Sequence, residues 1–249
     1  MEKKEICLEN LSVYYGKRCA IWDISMTFLS HTLTGILGPN GSGKSTLVQA
    51  MLGLIPHTSG HVTLNESSIA YVPQKKEIDL EFPISIFDLV IMGAYRRLNW
   101  LKWVNKKERD RAYVIMQRLG IVEIKDRQIQ EVSGGQLQRA IVARALLQDA
   151  DFYVLDEPFT GIDFATENLL VEVFRELRDQ GKGVILVHHD LMNVEELFDR
   201  VVMINSRLVQ EGATKLVFTP ENIQKTYGAK DTLLEEVSSL VEKVRKGKG

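Results

Sequence analysis

One glycine-rich segment constrains the fold of this chain more than any other feature of its sequence. The segment GPNGSGKST, from Gly38 to Thr46, matches the pattern G-x-x-x-x-G-K-[ST]. The apolar run HTLTGILG before it predicts a buried strand, and KSTLVQAMLGL after it predicts a helix. Glycines at such a strand-to-helix turn let backbone N–H groups crowd around phosphate oxygens. The segment therefore predicts a nucleoside triphosphate site in an α/β fold.

The side chains of this phosphate loop (residues 38–46) are assigned roles by their chemistry. We expect Lys44 to reach the terminal phosphates and the Ser45 hydroxyl to ligate Mg²⁺. The candidate nucleotide-binding residues are Gly38, Pro39, Asn40, Gly41, Ser42, Gly43, Lys44, Ser45 and Thr46.

An apolar run that ends in two acidic residues predicts the other half of such a site. The segment FYVLDEP predicts a buried strand ending at Asp156 and Glu157. Carboxyl ends of parallel strands meet at one edge of a sheet, so we expect this acidic pair beside the phosphate loop. Asp156 is predicted to hold the Mg²⁺ shell, and Glu157 to polarise the attacking water. Acidic residues at a strand end are often merely solvated, but the upstream phosphate loop favours the catalytic interpretation.

A second anion-binding pattern lies about ninety positions downstream of the phosphate loop. Residues 132–139 are VSGGQLQR, a serine and two glycines before a helical pattern. Such a pattern predicts a bare helix N-terminus, which favours negative charge. An ordinary N-capped helix is the alternative that this segment alone leaves open.

Composition and charge exclude several classes of protein. The chain has 249 residues, 45% of them hydrophobic and 26% charged, which is typical of an ordered domain. Its formal net charge of −2 provides no field that attracts nucleic acid or anionic lipid, so no nucleic-acid partner is expected. Cys7 and Cys19 are too few for a disulfide framework and lack metal-ligand spacing, which favours a reducing compartment.

Apolar runs long enough to enter a membrane are not expected. The basic residues near the N-terminus precede no apolar run, so we expect no secretory signal. The longest candidates, IFDLVIMGAY and GVILVHH, fall short of the roughly 18 apolar residues of a spanning helix. A membrane role would therefore need another subunit.

Strand and helix patterns alternate on both sides of a helical block. This predicts a parallel sheet covered by helices, with a helical subdomain of about residues 80–142 inserted into a domain of residues 1–228. Residues 229–249 predict an amphipathic helix with a basic tail, interpreted as docked on the domain or as a partner surface. The other predicted strands are ICLENLSVYYG and CAIWDISMTFL, paired around Gly16 and Lys17, then HVTLNESSIAYVPQ, GVILVHHD, and the hairpin RVVMINSRLVQEG turning at Asn205 and Ser206.

The motifs together resemble a known family. The chain resembles the ATP-binding cassette subunits of ABC transporters over about residues 5–228. The resemblance is carried by six motifs in this order: the phosphate loop, YVPQ, VSGGQ, LDEP, FTGID and VHHD. The resemblance implies a P-loop NTPase fold with a RecA-like parallel sheet core, an N-terminal antiparallel β subdomain and an inserted helical subdomain. It also implies an ATPase that uses ATP and Mg²⁺. Val132 replaces the usual leucine, and FTGID differs from the more common sequence.

The resemblance assigns further roles to single residues. Tyr15 is similar to the aromatic residue that stacks on adenine, and Gln74 to the glutamine that contacts Mg²⁺ and the water. His189 resembles the switch histidine that contacts the γ-phosphate, and Asp163 the aspartate that bridges two subunits. Two cassettes of the family pair head to tail, so Ser133, Gly134, Gly135 and Gln136 are implied to bind the ATP held by a second copy.

A narrower resemblance concerns the transported substrate. The segment EFPISIFDLVIMGAYRRLNWLKW together with VHHDL is similar to cassette subunits of bacterial manganese, zinc and iron importers. That implies a separate membrane permease whose coupling helix docks near Gln74, an extracytoplasmic metal-binding receptor, and a place on the cytoplasmic face of the cell membrane. The alternatives are a non-transport cassette ATPase, such as one of iron–sulfur cluster assembly, and a nucleotide-gated interaction module with negligible turnover.

Three other segments mimic binding motifs. NKKE (residues 105–108) is similar to the guanine-reading N-K-x-D but ends in Glu, so we interpret it as a solvated helix start and favour adenine. His188 and His189 are adjacent in a predicted strand and would point to opposite faces, so His188 is interpreted as packed or at the surface, not as a metal ligand. The aromatic and basic segment RRLNWLKW is interpreted as core or as a groove for another protein.

Overall fold

The computed structural model describes residues 4–97 and 104–228, and the predicted helix of residues 229–249 lies outside them. The strands are β1 (Glu5–Tyr15), β2 (Arg18–Leu29), β3 (Leu33–Leu37), β4 (Ser59–Thr63), β5 (Ile69–Val72), β6 (Phe152–Asp156), β7 (Gly183–Val187), β8 (Arg200–Ile204) and β9 (Leu208–Ala213). The α-helices are α1 (Lys44–Met51), α2 (Ile86–Ile91), α3 (Lys106–Arg118), α4 (Gly134–Leu147), α5 (Phe164–Asp179), α6 (Val194–Leu197), α7 (Thr214–Val217) and α8 (Pro220–Tyr227). Short 3₁₀ segments span Lys75–Glu77, Met92–Arg97, Val122–Ile124 and Ile129–Glu131.

The chain divides into two compact units. The first contains the residues up to Ser67 together with those from Gly183 onward, and the second is Ser68–Lys182. The phosphate loop belongs to the first unit, and the acidic pair and the VSGGQ segment belong to the second.

The first unit contains two sets of strands. β1 pairs antiparallel with β2 and β4. β3 pairs in parallel with β7 and β8, and β9 runs antiparallel to β8. Every residue of β3 and β7 is buried, as expected of strands covered on both faces, and this explains their continuous apolar sequences.

The second unit combines a parallel strand pair with helices. β5 and β6 pair in parallel, and every residue of β6 is buried. Helices α2, α3 and α4 pack on one another. Gly93 permits a close approach to α4, since a Cβ there would lie 2.1 Å from the carbonyl oxygen of Arg144.

The α/β class, the N-terminal antiparallel strands, the helical insertion and the β8–β9 hairpin are confirmed. The continuous strand predicted over HVTLNESSIAYVPQ is wrong, because Asn65 and Glu66 adopt left-handed backbone angles (φ 44° and 58°) that separate β4 from β5. The boundaries at about residues 80, 142 and 228 stay predictions. Among the described residues, no helix is long and apolar enough to cross a lipid bilayer.

Candidate functional site

The phosphate loop connects β3 to α1 within the first unit, as predicted. The ammonium of Lys44 turns back over the loop and donates to the carbonyl oxygens of Gly38 and Pro39 at 2.7 and 2.9 Å. This lysine is only 6% exposed. A buried ammonium held against two carbonyls places a fixed positive charge at the loop, which suits a phosphate group.

Gly43 is required by both backbone conformation and packing. Its φ is +96°, in the left-handed region that favours glycine. A Cβ there would lie 2.5 Å from Cγ2 of Ile21 and 2.7 Å from the carbonyl oxygen of Ala20. The loop is therefore seated directly on β2.

Helix α1 begins without a side-chain cap. Gly43 provides no capping hydrogen bond, and the first turn carries no acidic residue. The positive end of the helix dipole is thus left for an external anion. The geometry of the first unit fits the phosphate-binding interpretation of this loop.

The acidic pair ends strand β6 in the second unit. Asp156 is 1% exposed, and Nε2 of Gln74 donates to its Oδ1 at 3.3 Å. Burial raises the pKa of Tyr71 above its ordinary value, and the negative charges of Asp156 and Glu77 raise it further. A buried carboxylate at this strand end thus creates a negative potential that favours a cation.

Glu157 has a backbone conformation that is unusual for its residue type. Its φ of +52° lies in the left-handed region, which costs a residue other than glycine about 1–3 kcal/mol. The hydroxyl of Thr160 donates to Oε2 of Glu157 at 3.4 Å, and the Thr160 N–H donates to the Glu157 carbonyl at 3.2 Å. Strain that the surroundings maintain at one residue often marks a functional position.

The donor chemistry of the predicted metal ligands fits Mg²⁺. Ser45, Gln74 and Asp156 offer a hydroxyl, an amide oxygen and a carboxylate, all hard oxygen ligands. Mg²⁺ is commonly held by one or two such protein groups together with phosphates and water. No group of three or more His, Cys, Asp or Glu residues able to hold a metal occurs in the part of the chain that the structure describes.

The VSGGQ segment begins α4, but its N-terminus is not bare as predicted. Oγ of Ser133 accepts from the Gln136 N–H at 3.2 Å, and Oε1 of Gln136 accepts from the Ser133 N–H at 2.9 Å. This capping box stabilises the start of the helix, so the alternative interpretation, an ordinary N-capped helix, is correct in part. The box does not use the N–H groups of Gly134 and Gly135, which remain suited to an anion.

Both glycines are closely approached by side chains of the second unit. A Cβ on Gly134 would lie 2.5 Å from Nζ of Lys75, and one on Gly135 would lie 3.3 Å from Oδ2 of Asp163. Asp163 caps α5, and hydrogen bonds from the N–H and hydroxyl of Thr166 hold its pKa below the ordinary range. No local pattern in the sequence singles out Lys75, although it directly follows Gln74.

Comparisons with known proteins identify the family. The family model of the ABC transporter matches residues 21–160. The manganese transport system ATP-binding protein MntB of Listeria innocua is 44% identical over 228 residues, 89% of this chain and 95% of that protein. The chain belongs to the ABC transporter family. The zinc transport system ATP-binding protein TroB of Treponema pallidum is 42% identical over 90% of this chain and 86% of its own length.

A solved structure supports the same assignment. An ABC transporter in an inward-facing conformation matches with a TM-score of 0.81 and 25% identity, over 90% of this chain and 88% of that one. The prediction of a cassette ATPase with a P-loop NTPase fold is therefore confirmed. As a member of this family, the chain binds ATP.

The remaining cassette residues lie at strand ends of the first unit. Tyr15, the predicted adenine contact, ends β1 and is 52% exposed. His189 is exposed and follows β7, with its ring centroid 6.1 Å from that of His188. His188 is buried edge-to-face on Phe198 at 5.6 Å, so its interpretation as a packed residue is confirmed. Both histidines lie beyond the end of β7, so strand alternation does not set the directions of their side chains.

The segment NKKE (residues 105–108) lies at the start of α3. Oδ1 of Asn105 accepts from the Glu108 N–H at 3.0 Å, which confirms that NKKE starts a helix. Asn105, Lys106 and Lys107 are exposed, as expected of a solvated helix start, whereas Glu108 is 7% exposed. Residues 98–103 of the segment RRLNWLKW lie outside the described chain.

Acidification is expected to destabilise the cassette through His188. Burial is the main cause that lowers its pKa to about 4, against about 6.5 in an unfolded chain. The unfolded chain binds this proton more tightly, so the free energy of unfolding falls by about 2–3 kcal/mol as pH drops from about 6.5 to 4. Urea unfolding across this range should show the loss, and His188→Gln should flatten it. The exposed His57→Gln serves as control, and an unchanged slope in His188→Gln would contradict the assignment.

Proposed function

We propose that this chain is the ATP-hydrolysing subunit of a bacterial importer for a transition metal, manganese, zinc or iron. The observation that carries the proposal is the 42–44% identity, over about nine tenths of the chain, to proteins named for manganese and zinc transport. The metal is the cargo and passes through a separate permease. Assembly of iron–sulfur clusters, the alternative, gains no support from these relatives.

ATP binding is assigned to groups of the first unit. The N–H groups of the phosphate loop and of the uncapped start of α1 would surround the phosphates, and Lys44 would neutralise their charge. Tyr15 would stack on adenine through its exposed ring. A bound nucleotide would thus be fixed by charge at one end and by stacking at the other.

Hydrolysis is assigned chiefly to the end of β6. Glu157 would accept a proton from the attacking water, and His189 would contact the γ-phosphate. Ser45, Gln74 and Asp156 would hold Mg²⁺, which supplies charge neutralisation for the phosphates when bound. The hydrogen bond between Gln74 and Asp156 at 3.3 Å pre-orients these two oxygen donors. The strained backbone of Glu157 supports its role as the base.

A second copy is proposed to complete each site. The N–H groups of Gly134 and Gly135 in one copy would meet the γ-phosphate held by the other in a head-to-tail homodimer. Glycine fits both positions without displacing a neighbour, whereas a side chain at Gly134 would move the end of Lys75 and one at Gly135 would press on Asp163. Asp163, which caps α5, would bridge the two copies.

The second unit carries exposed apolar side chains suited to a membrane subunit. Phe82 is 57% exposed, Tyr95 52% and Val114 67%, in the helical segment that follows Gln74. Large exposed apolar side chains mark an interaction site where they form a contiguous patch. We assign this surface to the permease, which would hold the chain at the cytoplasmic face of the cell membrane. An extracytoplasmic metal-binding receptor would deliver the cargo, and no nucleic-acid partner is proposed.

Reconstitution tests this function. The chain is co-expressed with the permease of its gene neighbourhood, and the purified complex is placed in lipid vesicles with the receptor and ATP. We expect ATP-dependent uptake of Mn²⁺, Zn²⁺ or Fe²⁺, and none when the same complex carries Lys44→Ala. A complex that hydrolyses ATP but moves none of these ions would contradict the metal assignment.

A further inference from the structure

The turn between β8 and β9 supports the phosphate loop from outside. The Ser206 N–H donates to the carbonyl of Ser42 at 2.8 Å, and the Ser206 carbonyl accepts from the Trp22 N–H at 2.7 Å. A Cβ on Gly38 would lie 2.2 Å from the carbonyl oxygen of Ile204. The start of the phosphate loop therefore rests on the end of β8, and its middle rests on the turn that follows.

Asn205 connects the same turn to the end of α8. Its Nδ2 donates to the carbonyl of Thr226 at 3.0 Å, although the two residues are 21 positions apart. Carbonyls in the last turn of a helix lack partners within the helix, so this bond satisfies one of them. Burial raises the pKa of the next residue, Tyr227, and the Gly38 N–H acts against that rise.

The loop needs such support because its glycines would adopt many backbone conformations in an isolated chain. Gly41 and Gly43 have φ of +77° and +96°. Ser206, in the supporting turn, has a φ of +57°. This conformation is unfavourable for a residue other than glycine, so its surroundings must offset the cost. Binding groups that shift by about 1 Å lose much of their effect on a ligand. Contacts that fix this turn therefore fix the phosphate-binding N–H groups.

We propose that Asn205 is a positioning residue for ATP binding, acting through the turn it holds. Its amide ties the end of α8 to the β8–β9 turn, and the turn holds Gly38 and Ser42 of the phosphate loop. Asn205 is assigned no contact with the nucleotide. The inference rests on the proposed binding of ATP at this loop.

The test compares two asparagine-to-alanine variants of the full chain. Asn205→Ala should raise the KM for ATP about fivefold and leave kcat unchanged, since the net effect of one hydrogen bond corresponds to about that factor. Asn222→Ala is the matched control, because its Nδ2 donates to the carbonyl of Val217 at 2.9 Å, a similar bond made within the α7–α8 region. The control should lower the melting temperature comparably and leave the KM for ATP unchanged.

A second variant separates the loss of the Asn205 hydrogen bond from an effect of misfolding. Asn205→Asp keeps the size of the side chain but cannot donate to the Thr226 carbonyl. Its affinity for ATP is compared with the wild type at about 1 M salt, where the Debye length of about 3 Å screens the added charge. We expect the same fivefold loss. If the wild type binds ATP and either folded variant binds it equally well, the role of Asn205 is overturned. The proposed function is not affected by that result. A wild type that does not bind ATP would instead overturn the proposed function.

Discussion

Replacing Glu157 by glutamine is expected to slow ATP hydrolysis by about 10²- to 10⁴-fold, the usual contribution of a positioned acid–base group. Glutamine keeps the size of the side chain and its bond from Thr160 but cannot accept the proton of the attacking water. ATP affinity should change by less than about twofold, because Glu157 is assigned no contact with the ground-state phosphates. Phosphate release at saturating ATP and direct nucleotide titration measure the two quantities.

The matched control is Glu172→Gln, the same change on the exposed face of α5. It should hydrolyse ATP at the wild-type rate. Hydrolysis by Glu157→Gln at the wild-type rate would show that another group acts as the base, whatever the control does.

Replacing Lys44 by alanine is expected to weaken ATP binding by about 10- to 150-fold, as charge-assisted hydrogen bonds contribute about 1.5–3 kcal/mol. The variant also loses the bonds to the carbonyls of Gly38 and Pro39, so the loop that binds the phosphates loses its fixed charge. Titration with a non-hydrolysable ATP analogue measures the affinity. The change in melting temperature on adding ATP gives an independent check.

Lys182→Ala provides the control for this change. Lys182 pairs with Asp149 at 3.2 Å in the second unit and is given no role in nucleotide binding. Its ATP affinity should equal that of the wild type. Undiminished ATP affinity in a folded Lys44→Ala variant would overturn the interpretation of the phosphate loop.

The predictable part of this chain is the part that local sequence determines. The apolar runs before Gly38 and Asp156 are continuous because β3 and β6 are fully buried, and so they predicted both strands and the loops after them. Asn205 and Ser206 predicted the β8–β9 turn through their own turn preference. Family resemblance, not periodicity, supplied the roles of Tyr15 and His189.

Contacts between distant residues account for what the sequence did not predict. The ammonium of Lys75 lies against Gly134 nearly sixty positions away, and Asn205 reaches Thr226, without any local pattern. The interruption at Asn65 and Glu66 is different, because it is a local turn in which the Ser67 N–H donates to the Leu64 carbonyl at 2.8 Å. The strain at Glu157 is likewise imposed by its surroundings, so only the structure reveals it.

Sedimentation of two variants in saturating ATP tests the central claim, that each ATP site is completed by a second copy. The first is Glu157→Gln, and the second adds Gly134→Asp, whose carboxylate would repel a phosphate while the flexible end of Lys75 moves aside. We predict that the first variant sediments as a dimer, and that the second binds ATP with similar affinity but sediments as a monomer. Equal dimerisation of the two variants, or a Glu157→Gln chain that stays monomeric with ATP bound, would contradict the account.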